Sequence, residues 1–251
     1  APFNKGIYAR GYERQTWDSL WHDYRMQIDA GVGMCMFVSN CASDFYGRIE
    51  DDVWVNEHTF DYSHLDRYMA GFRRIDSQAL VMPQIMLTLP RWWEERRPNE
   101  LQRFHDGGVH AQFYGAPVPD VPRDQVVSLA SEQWSADMTM CLKKYLDYAE
   151  ANYGDRIAGY LIGGGITCEW GLLGSFDFID YSEPMRRYWR EWALKQYDGS
   201  PPYDSACIPS RDLRLLADGS FRNLAQSQAA IDFQRCLSDL TVARIIGFCE
   251  T

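Results

Sequence analysis

Hydrophobic residues follow two patterns along the chain: short continuous runs, and longer stretches in which they recur every three or four positions. Continuous runs that end at Gly or Pro are typical of buried strands, and recurrence at helical spacing is typical of amphipathic helices. The first pattern predicts strands over 5–11, 32–39, 80–89 and 157–170. The second predicts helices over 17–31, 64–75, 131–153, 183–197 and 224–249. Strands therefore alternate with helices along the chain.

This alternation predicts an α/β fold with a parallel sheet and right-handed crossovers. Specifically, it predicts a (β/α)8 TIM barrel of which about the first four βα units are present. We expect residues 1–251 to be the N-terminal portion of a single catalytic barrel domain whose remainder follows residue 251. Half a barrel leaves open sheet edges, which pair with other chains unless they are covered. A homo-oligomer is therefore left open.

Composition and charge exclude several classes of function. A formal net charge of −10, with no cluster of Lys and Arg, argues against nucleic acid as a partner. No segment approaches the run of about 20 apolar residues that a membrane span needs, so we expect no span. Ala1 begins the chain without a signal peptide. This fits either a processed exported protein or a sequence trimmed at its N-terminus, so the compartment stays open, with an exported protein, periplasmic or extracellular, slightly favoured over a cytoplasmic one.

Neither a metal nor a cofactor is indicated. The seven cysteines, at 35, 41, 141, 168, 207, 236 and 249, show no CxxC or CxxH spacing. The five histidines form no HxH pair of the kind that a metal-dependent barrel hydrolase uses. The glycines at 163–165 match neither the Walker pattern nor GxGxxG. We therefore expect no metal and no cofactor.

Glu169 is the leading candidate for a catalytic residue. It follows the apolar run that starts at Ile157 and passes through three glycines, and Trp170 comes directly after it. In α/β barrels the chemistry takes place at the carboxyl ends of the strands, and an acid beside an indole suits a sugar ring. The alternative is a Glu that caps a turn or pairs with an Arg.

Other residues at the predicted strand ends are candidates for substrate binding. Aromatic rings stack on sugar faces, and polar side chains bond to hydroxyl groups. The aromatic candidates are Trp92, Trp93 and Trp170, and the polar ones are Tyr8, Arg10 and Asn40. Core packing is the alternative for the tryptophans, a structural ion pair for Arg10 and a turn cap for Asn40. Prolines at 90, 98, 117, 119 and 122 predict a long βα loop over 90–126.

Several motifs, in this order, resemble the barrel domain of glycoside hydrolase family 42, the β-galactosidases of clan A. The segment TFDYSHLD at 59–66 resembles the family's "yDFswLD", and LTLPRWW at 87–93 is similar to "TPT..PPAWL". Residues 148–170 are similar to the segment that ends in "gwQiDNEyg". The helices at 185–199 and 233–248 are similar to "FRrWLrerYgs" and "rFqsdtvarfi". The resemblance covers nearly the whole chain.

The resemblance implies a retaining glycoside hydrolase that acts on β-linked sugars, with Glu169 as general acid/base. Retaining hydrolysis pairs such an acid with a carboxylate nucleophile about 5–5.5 Å away. In this clan the nucleophile comes from the seventh strand, which would lie beyond Thr251. The implied partner is a carbohydrate substrate, and no cofactor is required.

One position departs from the family pattern. The family has Asn directly before its acid/base Glu, where the amide is expected to bind the 2-hydroxyl of the sugar, and this chain has Cys168. A thiol is a weaker hydrogen-bonding group than an amide. Cys168 therefore also suggests an alternative, a catalytically inactive carbohydrate-binding or scaffold barrel. As a nucleophile Cys168 lacks a neighbouring His in sequence.

Overall fold

The computed structural model describes residues 17–40, 53–87, 90–105, 107–108, 127–164, 170, 180–214 and 224–251. Its helices are α1 (Trp17–Asp29), α2 (Ser63–Ile75), α3 (Arg91–Arg96), α4 (Glu132–Tyr153), α5 (Glu183–Gln196), α6 (Arg211–Arg214) and α7 (Leu224–Cys249). Its strands are β1 (Met34–Asn40), β2 (Trp54–Asn56), β3 (Thr59–Phe60), β4 (Leu80–Met86) and β5 (Leu161–Gly163). The chain divides into two compact units, which we call unit 1 (1–93 and 140–169) and unit 2 (94–139 and 170–251).

Unit 1 contains a parallel sheet in the order β1-β4-β5. These strands overlap three of the four predicted apolar runs, although β5 occupies only three residues of the run over 157–170, and Ile157 adds a parallel bridge to Val81. The predicted first strand, 5–11, lies outside the described residues. The α/β architecture with parallel strands and intervening helices is therefore confirmed.

One face of this sheet, which we call the covered face, lies against α1 and α2. The ring of Phe37 stacks on Tyr68 with 4.3 Å between centroids and 13° between planes. The Tyr24 hydroxyl donates a hydrogen bond of 2.7 Å to the Met36 carbonyl. Because apolar positions on α1 and α2 recur at helical spacing, each helix turns one aromatic stripe toward the strands.

Gly71 allows α1 and α2 to approach each other closely. A Cβ atom built at this position would overlap the six-membered ring of Trp21. That ring is in turn held edge-on against Tyr68 and Phe72, at 5.7 Å and 5.6 Å between centroids. Any larger residue at position 71 would therefore have to displace a packed indole.

Arg156 joins two turns at the amino ends of β4 and β5. Its guanidinium group donates to the backbone carbonyls of Asp76, Ser77 and Ala79, in the turn between α2 and β4. Arg156 itself lies between α4 and β5. One side chain thus satisfies carbonyl groups that follow the end of α2, and it holds neighbouring strands together at that end of the sheet.

The structure adds short elements where the sequence predicts irregular chain. Strands β2 and β3 form an antiparallel hairpin, with Trp54 opposite Phe60. Helix α3 and a 3-10 turn at Pro98–Glu100 occupy the beginning of the predicted loop 90–126. The predicted long loop over 90–126 therefore contains short helical elements in its first part. These elements span two to six residues, which is too short for hydrophobic periodicity to reveal.

Unit 2 is built around α5 and α7. The buried ring of Trp189 meets Phe233 edge-on, at 5.4 Å between centroids. The carboxylate of Asp232 on α7 accepts hydrogen bonds from the hydroxyls of Tyr197 and Tyr203, at 2.6 Å and 3.0 Å. Both helices match their predicted bounds to within a residue. No described helix is long and apolar enough to cross a membrane.

Candidate active site

The carboxyl ends of the three parallel strands lie in one row. Asn40 at the end of β1 pairs with Met86 at the end of β4, and Met86 pairs with Gly163 at the end of β5. The chain segments that follow these strands therefore start from the same edge of the sheet. In α/β folds this is the edge where ligands bind.

Only some of the predicted site residues belong to the part of the chain that the structure describes. Asn40 ends β1, as predicted. Glu169 and Cys168, in the segment that follows Gly163, lie outside the described residues, as do Tyr8 and Arg10. Their roles stay predictions.

Trp92 and Trp93 lie side by side on α3 in different environments. The Trp92 side chain is half-buried, its Nε1 donates 3.2 Å to the Trp54 carbonyl, and the two indoles meet edge-on at 4.9 Å. Trp93 is 0% exposed. Full burial is what core packing, the alternative to sugar stacking, predicts for Trp93. Trp92 keeps part of its surface accessible for a ligand.

Trp170 belongs to unit 2 and is half-buried. Its ring stacks on Phe248 of α7, with 5.8 Å between centroids and 29° between planes. Phe248 also meets Trp134 of α4 edge-on at 5.2 Å. One face of the Trp170 indole is therefore occupied by protein, and only the remaining accessible surface of the ring can serve a ligand.

Asp180 is a buried carboxylate that the sequence reasoning missed. It is 2% exposed, and its Oδ1 accepts from the backbone N–H groups of Arg103 and Ser182, at 3.1 Å and 2.8 Å. Its Oδ2 accepts 2.9 Å from the Ser182 hydroxyl, and the Ser128 side chain also bonds to it. Burial raises the pKa of Asp180, and these hydrogen bonds act in the opposite direction. The only signal in the sequence is the run Asp-Tyr-Ser-Glu-Pro that opens α5, which is typical of a helix start.

The long connection between β4 and α4 is pinned near its base. Leu101 and Val127 form an antiparallel bridge, and the Ser128 N–H donates 2.9 Å to the Glu100 carbonyl. The Ser131 hydroxyl donates 2.6 Å to the Glu100 carboxylate. The outgoing and returning arms of this loop are thus bonded to each other before α4 begins.

The described residues show no candidate metal centre. Among them, no three His, Cys, Asp or Glu side chains lie close enough together to share a metal ion. Among the described cysteines, Cys207 and Cys249 are exposed while Cys35, Cys141 and Cys236 are buried.

Comparison with known proteins identifies the fold. The sequence matches no protein-family model and no curated protein. The structure is similar to a β-galactosidase from Bacillus circulans sp. alkalophilus, with a TM-score of 0.60, 14% identity and 99% of this chain covered. It is also similar to a β-galactosidase from the psychrophilic Marinomonas ef1, with a TM-score of 0.57, 17% identity and 94% coverage. A third similar structure is a catalytic mutant of a GH42 β-galactosidase from G. stearothermophilus, with a TM-score of 0.59, 14% identity and 98% of this chain covered.

These similarities agree with the resemblance found in the sequence motifs and confirm it at the level of the fold. At 12–17% identity they show the architecture alone. The chain spans about a third of the length of the β-galactosidases that it matches, 34% for each of the three compared above.

Proposed function

We propose that this chain supplies the first half of a (β/α)8 barrel in a retaining glycoside hydrolase, which acts on β-linked sugars in the manner of a β-galactosidase. The observation that carries the proposal is the aligned row of Asn40, Met86 and Gly163, from which the segment with Glu169 follows. The fold shared with GH42 β-galactosidases supports it.

Glu169 is the general acid/base in this proposal. In the first step its carboxylic acid protonates the glycosidic oxygen while a second carboxylate attacks the anomeric carbon. In the second step the Glu169 carboxylate takes a proton from water, which releases the sugar with its anomeric configuration retained. The second carboxylate comes from polypeptide that completes the barrel, and the reaction needs no metal and no cofactor.

The exposure of the sheet supports completion of the barrel by further βα units. On the face opposite the covered face, which we call the inner face, Val38, Gln84 and Leu161 share one row of the sheet, in which Gln84 is buried and Val38 is half-buried. Leu161 is 43% exposed. Parallel strands are normally buried on both faces. Further strands beside β5 would cover this face and bring a nucleophile to the edge that Glu169 follows.

Substrate contacts are proposed for residues that follow the strand ends. Trp92 and Trp170 are the aromatic candidates because both keep part of their surface accessible. Asn40, Tyr8 and Arg10 are proposed to bond sugar hydroxyl groups. Cys168 stands where the family has Asn, so we propose that this subsite binds the 2-hydroxyl more weakly or takes a sugar that lacks it.

The first experiment measures hydrolysis of aryl β-glycosides by the full-length protein and its Glu169→Gln variant. Loss of the general acid should lower kcat by about 10²–10⁴-fold with a poor leaving group. The loss should be smaller in the first step when the leaving group needs no protonation. Glu191→Gln, on the exposed surface of α5, is the matched control. A Gln variant with full activity on the poor leaving group would refute the role of Glu169.

A second candidate function is a carbohydrate-binding barrel without catalysis, which Cys168 favours because it removes the family's amide. Calorimetry with galactosides distinguishes the two functions. Heat of binding without turnover by the full-length protein indicates the binding barrel, and turnover excludes it. The Cys168→Asn variant should then gain affinity or activity.

A further inference from the structure

Trp54 and Trp92 join two connections that follow neighbouring strands. The β2–β3 hairpin, which contains Trp54, lies in the connection after β1, and α3, which contains Trp92, lies in the connection after β4. Because β1 and β4 are parallel neighbours whose last residues pair, both connections start at the same edge of the sheet. In α/β folds this is the edge where ligands bind.

Two contacts with Trp54 hold the Trp92 indole in one orientation. Its Nε1–H donates 3.2 Å to the backbone carbonyl of Trp54, and its ring meets the Trp54 ring edge-on, with 4.9 Å between centroids and 89° between planes. A directional hydrogen bond and a perpendicular ring contact together restrict both side-chain torsions of the indole. The half-buried Trp92 therefore presents its remaining accessible surface in a fixed orientation.

Trp54 is in turn held by the hairpin. It is 2% exposed and lies opposite Phe60 across the hairpin, with the two rings within 7° of parallel and 6.1 Å between centroids. At the base of the hairpin the Asp61 N–H donates 2.8 Å to the Val53 carbonyl. The Asp61 carboxylate accepts 2.8 Å from the Ser63 N–H, where α2 begins. The support beneath Trp92 is therefore bonded to the helix that follows it.

Hydrogen bonding by its own side chain does not account for an indole at position 54. The Trp54 Nε1–H is buried and has no hydrogen-bond partner among the described residues. A buried donor without a partner carries a desolvation cost that a phenyl ring would avoid. The larger ring contributes its surface, which contacts Trp92 and Phe60. Position 54 therefore acts through the space that its ring fills.

The same contacts determine what the accessible surface of Trp92 can bind. The one polar atom of its side chain, Nε1, is already bonded to the Trp54 carbonyl. The rest of the ring is apolar, so it suits a flat apolar surface such as the C–H face of a pyranose. Trp93, the next residue, is 0% exposed and offers no such surface.

We infer that Trp54 is a positioning residue, which fixes the Trp92 indole as a stacking platform for the C–H face of one sugar ring. The identity of the ligand as a sugar rests on the proposed function, whereas the positioning of the ring rests on the contacts alone. A side chain that is ordered before the ligand arrives loses little freedom on binding, and this pre-organisation strengthens binding.

The first test measures how firmly the Trp92 ring is held in the full-length protein. Exchange of its indole N–H with solvent is followed by NMR after isotopic labelling of tryptophan, and Trp92→Phe assigns the signal. Every substitution of Trp54 retains the backbone carbonyl that accepts this N–H, so faster exchange reports movement of the ring and not loss of the acceptor. Trp54→Leu should speed exchange by about tenfold or more, and Trp54→Phe should do so less.

Trp134→Phe is the matched control for this test, because Trp134 is a tryptophan of unit 2 that is 1% exposed. It should leave exchange of the Trp92 N–H unchanged. Exchange at the wild-type rate in Trp54→Leu would overturn the inference. Equal acceleration by Trp134→Phe would overturn it as well, because the effect would then be general loosening of the fold.

Hydrolysis kinetics on an aryl β-glycoside provides the second test. Loss of the platform in Trp92→Ala should raise KM by about 3- to 10-fold. The change in kcat should be smaller, because stacking on a face that does not react is similar in the ground state and the transition state. Trp54→Leu should also raise KM, and Trp54→Phe should recover part of that loss. An unchanged KM in Trp92→Ala would overturn the platform.

A double-mutant cycle separates positioning from an independent effect of Trp54. If Trp54 acts through Trp92, Trp54→Leu should change KM by less than about twofold once Trp92→Ala is present. Effects that simply multiply in the double variant would show that Trp54 acts by another route, and the inference would fail.

The two tests also separate this inference from the proposed function. If the wild-type protein neither binds nor hydrolyses a glycoside, the proposed function fails and the sugar ligand fails with it. Exchange of the Trp92 N–H still decides whether Trp54 positions the ring. If the wild type is active and Trp54→Leu leaves both exchange and KM unchanged, the inference fails and the hydrolase assignment stands.

Discussion

The two faces of the β1-β4-β5 sheet differ in how far the chain covers them. On the covered face, Cys35, Phe37, Val81 and Ile85 are all buried, and Phe37 packs against the aromatic rings of Tyr68 and Phe72 on α2. On the inner face, Gln84 and Met86 are buried, Met36, Val38 and Met82 are half-buried, and Leu161 is exposed. The same three strands therefore have one face that is covered and one face on which some apolar side chains remain exposed.

Buried residues on the covered face therefore stabilise the fold as it stands, whereas exposed residues on the inner face are available to contact further parts of the protein. Burial on the covered face already contributes its transfer free energy, about 25 cal/mol per Å² of apolar surface. Exposed apolar positions on the inner face contribute little until something packs on them. Substitutions on the two faces should therefore have unequal effects on unfolding.

The largest effect is expected for Phe37→Ala on the covered face. Phe37 is 3% exposed and stacks on Tyr68, so truncation leaves a cavity between the sheet and α2. We expect the free energy of unfolding to fall by about 3–5 kcal/mol. Urea denaturation followed by circular dichroism measures the change. A loss below about 1 kcal/mol would show that the covered face is not the tighter of the two.

A smaller and pH-dependent effect is expected for Tyr24→Phe, at the same face. Burial raises the pKa of Tyr24, with Tyr68 and Cys35 adding to the shift. A raised pKa means that the stabilisation is fully present below the unfolded value near 10 and is lost as pH rises toward the folded value. Removing the bond to the Met36 carbonyl should cost about 0.5–1.5 kcal/mol at pH 7.

The pH dependence of the unfolding free energy should distinguish the Tyr24→Phe variant from wild type. Wild type should lose stability as the pH rises above about 10, and the Phe variant should lose less over the same interval. Denaturation midpoints at pH 8, 9.5 and 11 measure the slopes. If the denaturation midpoints of the two proteins fell equally steeply with pH, ionisation of Tyr24 would not destabilise the packing of the covered face.

The smallest effect is expected for Leu161→Gln on the inner face. Leu161 is 43% exposed, so the polar substitution removes little buried surface. In the 251-residue chain we expect a change in unfolding free energy of less than about 1 kcal/mol. In the full-length protein the loss should be larger, if further strands cover this row. Equal, small losses in both would remove the support that this face lends to barrel completion.

Long helices were predictable from the sequence because their signal is local. The predicted helices over 64–75, 131–153 and 224–249 agree with α2, α4 and α7 to within a residue at each end. The apolar runs that became β1 and β4 were predictable for the same reason. The short hairpin and α3 were not, since their few residues depend on contacts such as that between Trp54 and Trp92.

The candidate site was only partly predictable. Strand ends can be found in sequence, and Asn40 lies at one of them. Trp92 and Trp93 are adjacent and chemically identical in sequence, yet one is half-buried and the other fully buried. Asp180 looks like one more residue of a helix start, because its bonds to Arg103 and Ser128 join positions that are far apart along the chain.

By itself the sequence determined the order of the longer strands and helices and the presence of an acid, Glu169, after the glycines at 163–165, because periodicity and composition act over neighbouring residues. Only the tertiary structure decided which strands pair, that Asn40, Met86 and Gly163 share a row, and that Asp180 ties two loops together. Those facts depend on long-range packing, in which the burial of one side chain is set by residues that the local pattern does not contain.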